Sequence, residues 1–159
     1  MESDKQLRQQ ISKFIDWHEA HADLAAAVDK FPVELRGRVP QGMPHSGWQL
    51  LEHIRLALSD IVEFCRDTGH KSPPWPEGYW PKSASPPNEK AWEQSVDAIR
   101  DDLESLRALI EDPKNNLLAP LPGGSGQTLL REALLAADHH AYHLGQLVLV
   151  RKALDAWKG

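Results

Sequence analysis

Four stretches of this chain carry apolar residues at helical spacing, and no proline interrupts any of them. The first opens at SDKQ, where Ser3 and Gln6 have capping-box spacing, and is expected to run to about Lys30, ahead of Phe31 and Pro32. The second opens at SGWQ, with Ser46 and Gln49 at the same spacing, and continues through LLEHIRLALSDIVEFCRD to Gly69. The third covers Asn88 to Glu111 and stops before Pro113; the fourth opens after PGGSGQT and runs from Thr128 to Trp157. No alternating run of β-branched residues argues for a sheet, and no internal repeat is present. A chain of 159 residues holds one domain with a real core and is short for two. The simplest arrangement is therefore all-α: a four-helix bundle occupying residues 1–159 as one domain.

The second and third helices are joined by HKSPPWPEGYWPKSASPP, residues 70–87, which holds six prolines together with Trp75, Tyr79 and Trp80. So stiff and aromatic a connection reads as an ordered strap across the bundle. Its length lets those two helices run parallel. Its aromatics either wall a pocket or cover the open end of the core.

Charge and hydropathy narrow the partners. The formal net charge is −5 and no basic stripe is present, so nucleic acid is not expected. No window approaches the apolar length of a membrane span, and MESDKQLRQQISKFIDWHEA lacks the apolar centre of a signal peptide. Cys65 is the only cysteine, which excludes an internal disulfide and suits the cytoplasm. The expected partner is a small molecule. A homodimer is also expected, since small bundles pair and Trp-rich faces need covering.

Chemistry concentrates in DHHAYHLGQL, residues 138–147. On a helical wheel Ala136, His143, Leu147, Val150 and Leu154 share one stripe, so His143 faces the core. His139 lies about 40° to one side of that stripe and His140 about 60° to the other. Histidines at i and i+4 put two imidazoles on one face a turn apart, within reach of one ion. His140 with His143, at i+3, is the alternative pair. A firmly held divalent ion wants at least three protein ligands. The second helix offers one more: Leu51, Ile54, Leu58, Ile61 and Cys65 mark its core line, and His53 sits at the flank beside Ala57 and Phe64. The metalloprotease helix signature needs a glutamate directly after the first histidine; here that position holds His140, so such chemistry is not expected.

Together these motifs resemble the DinB-like superfamily. HHAYHLGQL is similar to its last-helix signature, a histidine followed four residues later by another, then a usually basic residue, then Gly-Gln; SGWQLLEHIR is similar to its second-helix signature. The resemblance spans nearly the whole chain. It implies a four-helix bundle in up-down-down-up order and a divalent metal on three histidines, here His53, His139 and His143. Gly145 and Gln146 match the residues after the last ligand, with Gln146 as a partner supporting a ligand. Leu144 departs from the usual arginine, so any part of that arginine in binding an anionic substrate does not carry over.

Other ionisable residues have two readings each. His18 and His21, in WHEAH, either approach the metal as an extra ligand and proton handler or lie on a helix surface. His140 is a secondary candidate beside the site. Glu132, two turns before His139, is expected as a buried hydrogen-bonding residue, with general base as the alternative. His45 and His70 lie in connections and have no partner to name.

Three imidazoles and an open position suit a Lewis acid. Either water activated there hydrolyses a small substrate, or a low-molecular-weight thiol attacks an electrophile; the resemblance implies thiol S-transferases and thiol-dependent isomerases. Zinc, nickel, iron(II) and copper all suit such ligands. The competing class is a non-catalytic metal-binding or dimerising bundle. Cys65, on the core line and far along its helix from His53, is no substitute nucleophile.

Overall fold

The computed structural model describes residues 2–157. It is all-helical: α1 (Glu2–Phe14), α2 (Leu24–Val28), α3 (Gly47–Arg66), α4 (Ala91–Glu111) and α5 (Leu129–Ala153), with 3₁₀ turns at Val33–Leu35 and Glu77–Tyr79. No strand is present among the described residues; the only ladder contact there is an isolated bridge between Pro120 and Thr128. Among the described residues no helix is long and apolar enough to cross a membrane. The long helix α3 packs against both α4 and α5, α1 packs mainly against α4, and the short α2 leans on α5.

Local chemistry explains most boundaries. The Ser46 hydroxyl accepts from the Gln49 amide and the Gln49 side chain accepts from the Ser46 amide, both at 3.1 Å, closing the expected capping box of α3. Thr128 caps α5 by accepting from the Arg131 amide at 3.2 Å. The α3 helix ends at Arg66, three residues before Gly69, because the Asp67 carboxylate takes the Gly69 amide in a turn. Asn88 likewise accepts from the Lys90 amide, and α4 starts at Ala91 rather than Asn88. The last helix stops at Ala153, short of Trp157.

The first helix departs most from expectation. It ends at Phe14, Ser3 lies inside it, and residues 15–23 are not helical. Ile11 and Ile15 are buried, but Trp17, His18, Glu19 and Ala20 are exposed, so no apolar face supports further turns. Asp23, in extended conformation, then caps a new helix through the Ala26 amide and turns Leu24 and Ala27 into the core.

The core joins Leu51, Ile54 and Leu58 of α3 to Ile99, Leu106 and Ile110 of α4 and to Leu144 and Leu147 of α5. Two buried arginines tie down helix ends. Arg8 donates to the carbonyls of Ile110, Asp112 and Asn115 at 2.7–3.0 Å, satisfying the open end of α4. Arg151 donates to the carbonyls of Ala26, Ala27 and Asp29, holding α2 on α5.

The proline-rich connection is ordered and clamped. Asp60 of α3 receives the Tyr79 hydroxyl at 2.7 Å on one oxygen, and its other oxygen lies 2.6 Å from His70 Nε2. Farther on, the Ser46 hydroxyl donates to the Ala84 carbonyl at 2.5 Å.

Candidate metal centre

Because α3 packs along α5, the flank of α3 that carries His53 meets the α5 turn that carries His139 and His143. His53 Nε2 lies 3.1 Å from His143 Nε2 and 3.0 Å from His139 Nε2. These three are the group among the described residues whose ligand atoms converge as a metal site requires. A tetrahedral ion with bonds of about 2.0–2.1 Å sets neighbouring ligand atoms about 3.3 Å apart. The observed separations fall within a few tenths of that edge.

Hydrogen bonding at the far side of two rings fixes what those nitrogens are. His53 Nδ1 is 2.7 Å from the Tyr79 carbonyl, an acceptor only, so Nδ1 carries the proton and Nε2 is a bare lone pair in the neutral ring. His143 Nδ1 is 2.7 Å from Gln146 Oε1, which sets the same tautomer. The 3.1 Å contact between His53 and His143 thus brings two lone pairs together and is no hydrogen bond. Opposed lone pairs at that distance repel, and a cation between them turns repulsion into ligation. The residues fit a divalent metal.

Electrostatics keep the rings in the ligand form. Burial, reinforced by the charges that His143, His53 and His140 would carry, lowers His139 to about 3. Burial and His53 lower His143 to about 4 against the opposing Gln146 bond. Burial also lowers His53, although the Tyr79 bond works the other way. Imidazoles that resist protonation lose little to proton competition near neutral pH.

The strap supplies what sequence reasoning missed. Trp80 lies flat on His53, with ring centroids 3.8 Å apart and planes within 4°. His45 stacks on Trp80 at 4.0 Å. His53, Trp80 and His45 therefore form a three-ring stack that fixes the plane of one ligand, while the Tyr79 carbonyl next along the chain fixes its rotation. The only sequence signal was the aromatic content of residues 70–87; nothing local pairs Trp80 with His53 or Asp60 with His70.

The secondary candidates separate. Gln146 stands against His143. His140 does not join the cluster: it is 4% exposed, its Nε2 lies 3.9 Å from Asp16, and neither ring nitrogen has a hydrogen-bond partner. An extra 100° of helical turn from His139 carries it toward Asp16, in the segment after α1, instead of toward α3. His18 and His21 are exposed in the non-helical segment after α1, and His21 meets the Ala22 carbonyl of its own loop. Glu132 is buried and bonded to Arg131 at 2.6 Å, the structural reading, and its charge is felt at Cys65 rather than at the imidazoles. Leu144 is 1% exposed in the core, where an arginine would have to be buried.

No curated protein and no solved structure matches the chain. The family model of the DinB superfamily matches residues 16–147, which take in all three converging histidines and Gln146. With more than half its length so matched, the chain belongs to the DinB superfamily.

Proposed function

We propose that this chain is a divalent-metal-dependent enzyme that joins a low-molecular-weight thiol to a small electrophile. The observation carrying it is the pair of bare Nε2 lone pairs of His53 and His143, 3.1 Å apart, with His139 closing the triangle. A bound ion supplies a Lewis acid and lowers the pKa of whatever takes its free position. His53, His139 and His143 hold it. Gln146 and the Tyr79 carbonyl orient two of the rings, and Trp80 shields one face of His53 from water. Zinc, nickel and iron(II) suit this ligand set.

A thiol fits better than water as nucleophile. Among the described residues no carboxylate joins the three imidazoles, Asp60 is engaged by Tyr79 and His70, and Glu132 by Arg131. Metal-bound water falls to a pKa of about 7 and its attack is commonly aided by a neighbouring general base. A thiol starts from a pKa of about 8.5 and needs less help from either the ion or a base. Cys65 is not that thiol. Burial, with Glu132 adding, pushes it up to about 12. Hydrolysis by activated water is the outcome that would replace this reading.

The reading extends to the fold: one domain, a four-helix bundle in up-down-down-up order. Pairings between α3 and α4 advance in the same direction, Glu52 bonded to Ser95 and Asp102 within electrostatic reach of Arg55 and Arg66, as parallel helices require. Those between α3 and α5 run opposed, His53 with His143 and Cys65 near Glu132. Those between α1 and α4 do likewise, Arg8 with Asp112 and Ser12 with Arg107. A cytoplasmic location, a small-molecule partner and a homodimer belong to the same reading. Supporting the dimer are Leu134, Leu135 and Tyr142, exposed on α5 by 36% to 63%.

Elemental analysis of the purified protein and of His143→Ala is the first test. Near-stoichiometric metal in the parent and none in the variant is expected, with loss of glutathione, cysteine or coenzyme A thiol in the presence of an electrophile such as chlorodinitrobenzene. That loss should follow metal content. A metal-free parent sinks the proposal; a loaded protein that cleaves esters and leaves thiols untouched replaces it with hydrolysis.

A further inference from the structure

One residue of the strap reaches α3 at two points. The Tyr79 carbonyl receives the His53 Nδ1 proton at 2.7 Å, and the Tyr79 hydroxyl, at the far end of the ring, donates to Asp60 at 2.7 Å. Asp60 follows His53 by seven residues, so both side chains leave one face of the helix, two turns and about 10 Å apart. Tyr79 bridges them from a buried position.

The anchor is itself held. His70 Nε2 donates to the second oxygen of Asp60 at 2.6 Å, so one carboxylate holds the strap at its start and at its middle. The Asp60 side chain is 13% exposed. In so dry a place a hydrogen bond to a carboxylate is stronger than at the surface and keeps its donor in one position. A tyrosine has only two χ angles between main chain and ring, so fixing its hydroxyl restricts where its carbonyl can stand. That carbonyl selects the rotation of His53, and with it the direction of the Nε2 that meets His143 and His139 at 3.1 and 3.0 Å. The flat stack on Trp80 fixes the plane of the His53 ring but leaves rotation within that plane open.

We propose that Asp60 is a positioning residue for the metal ligand His53, acting through the hydroxyl and carbonyl of Tyr79. Linkage makes the effect mutual: whatever factor the clamp adds to metal affinity, a bound ion adds to closure of the strap. The inference rests on the metal centre of the reading above and not on its thiol chemistry.

Zinc affinity by chelator competition in the parent, Tyr79→Phe, Asp60→Leu and the double variant tests it. Tyr79→Phe deletes one oxygen and keeps both the ring and the carbonyl that touches His53. Losing a partner that bonds a ligand directly weakens metal binding about 10- to 100-fold, and a link one residue further away should cost about three- to tenfold. The double variant should be no weaker than Asp60→Leu alone, because both changes cut the same link. Zinc should also slow tryptic cleavage at Lys71 and Lys82 more in the parent than in Tyr79→Phe. A further readout needs no metal: in zinc-free protein the bonded Nδ1 proton of His53 should exchange with water at least about threefold faster in Tyr79→Phe. Unchanged zinc affinity in a fully helical Tyr79→Phe overturns the proposal and leaves the aromatic stack to place His53 alone. Single effects that multiply in the double variant overturn it as well. Tight zinc binding without thiol consumption sinks only the enzymatic reading. A parent that takes up no zinc also sinks that reading, and the His53 proton then decides the positioning by itself, unchanged exchange overturning it.

Discussion

Acidifying the metal-free protein from pH 7 to 5 is expected to destabilise it through the imidazoles that would hold the ion. Burial holds His139 at about 3 and His143 at about 4 in the folded chain, against the ordinary imidazole value of 6.5 that describes the unfolded one. Between those values the unfolded state takes up protons that the folded state refuses. Stability therefore rises with pH across that window and falls as the solution is acidified below 6.5. Each group loses about 1.4 kcal/mol per pH unit, or about 2 kcal/mol between 6.5 and 5. His143, 8% exposed, should contribute nearly that much. The half-buried His139 contributes less because solvent screens it, which brings the pair to about 3 kcal/mol. With a urea slope of about 2 kcal/mol per molar, the unfolding midpoint should drop by about 1.5 M. His45, His53 and His140 are lowered in the same direction. The readout is accordingly the difference between the parent and a His139→Asn, His143→Asn double variant, both in EDTA, by circular dichroism. Equal losses of stability in the two proteins would refute the argument, since the acid sensitivity would then come from elsewhere.

Three further outcomes are expected. Gln146→Leu removes the acceptor that holds the His143 proton on Nδ1, and should weaken metal binding about 10- to 100-fold in a chelator competition while leaving the helical spectrum intact. Asp60→Ala frees both Tyr79 and His70 from α3; a loss of about 2 kcal/mol and faster tryptic cleavage at Lys71 and Lys82 are expected, and unchanged cleavage would show that the strap is held by its aromatics alone. At Gly145 an added methyl would meet nothing within 4 Å, so Gly145→Ala should raise the melting temperature of the metal-free protein by an amount corresponding to about 0.5–1 kcal/mol. A destabilised variant would mean that another molecule packs against that turn.

What could be read along the chain was what neighbouring residues settle among themselves. Ser46 with Gln49 marks the start of α3, and Thr128 that of α5, because a cap is a bond between residues two or three apart. His139 and His143 sit on one face because four residues make about one helical turn. The same local rules misjudged residues 15–23, whose composition suits a helix but whose exposed side gives it no core to pack on. Tertiary structure alone decided that α3 lies along α5, which turns an i,i+4 pair into a three-nitrogen cluster with His53. It also decided that Trp80 and Tyr79, from an irregular segment, would brace that third ligand, and that His140, one position from a cluster member, would face Asp16 in the segment after α1. Those outcomes depend on contacts between residues far apart in sequence. No periodicity encodes them, because the packing of whole helices and the clamp of the strap on Asp60 set the geometry together.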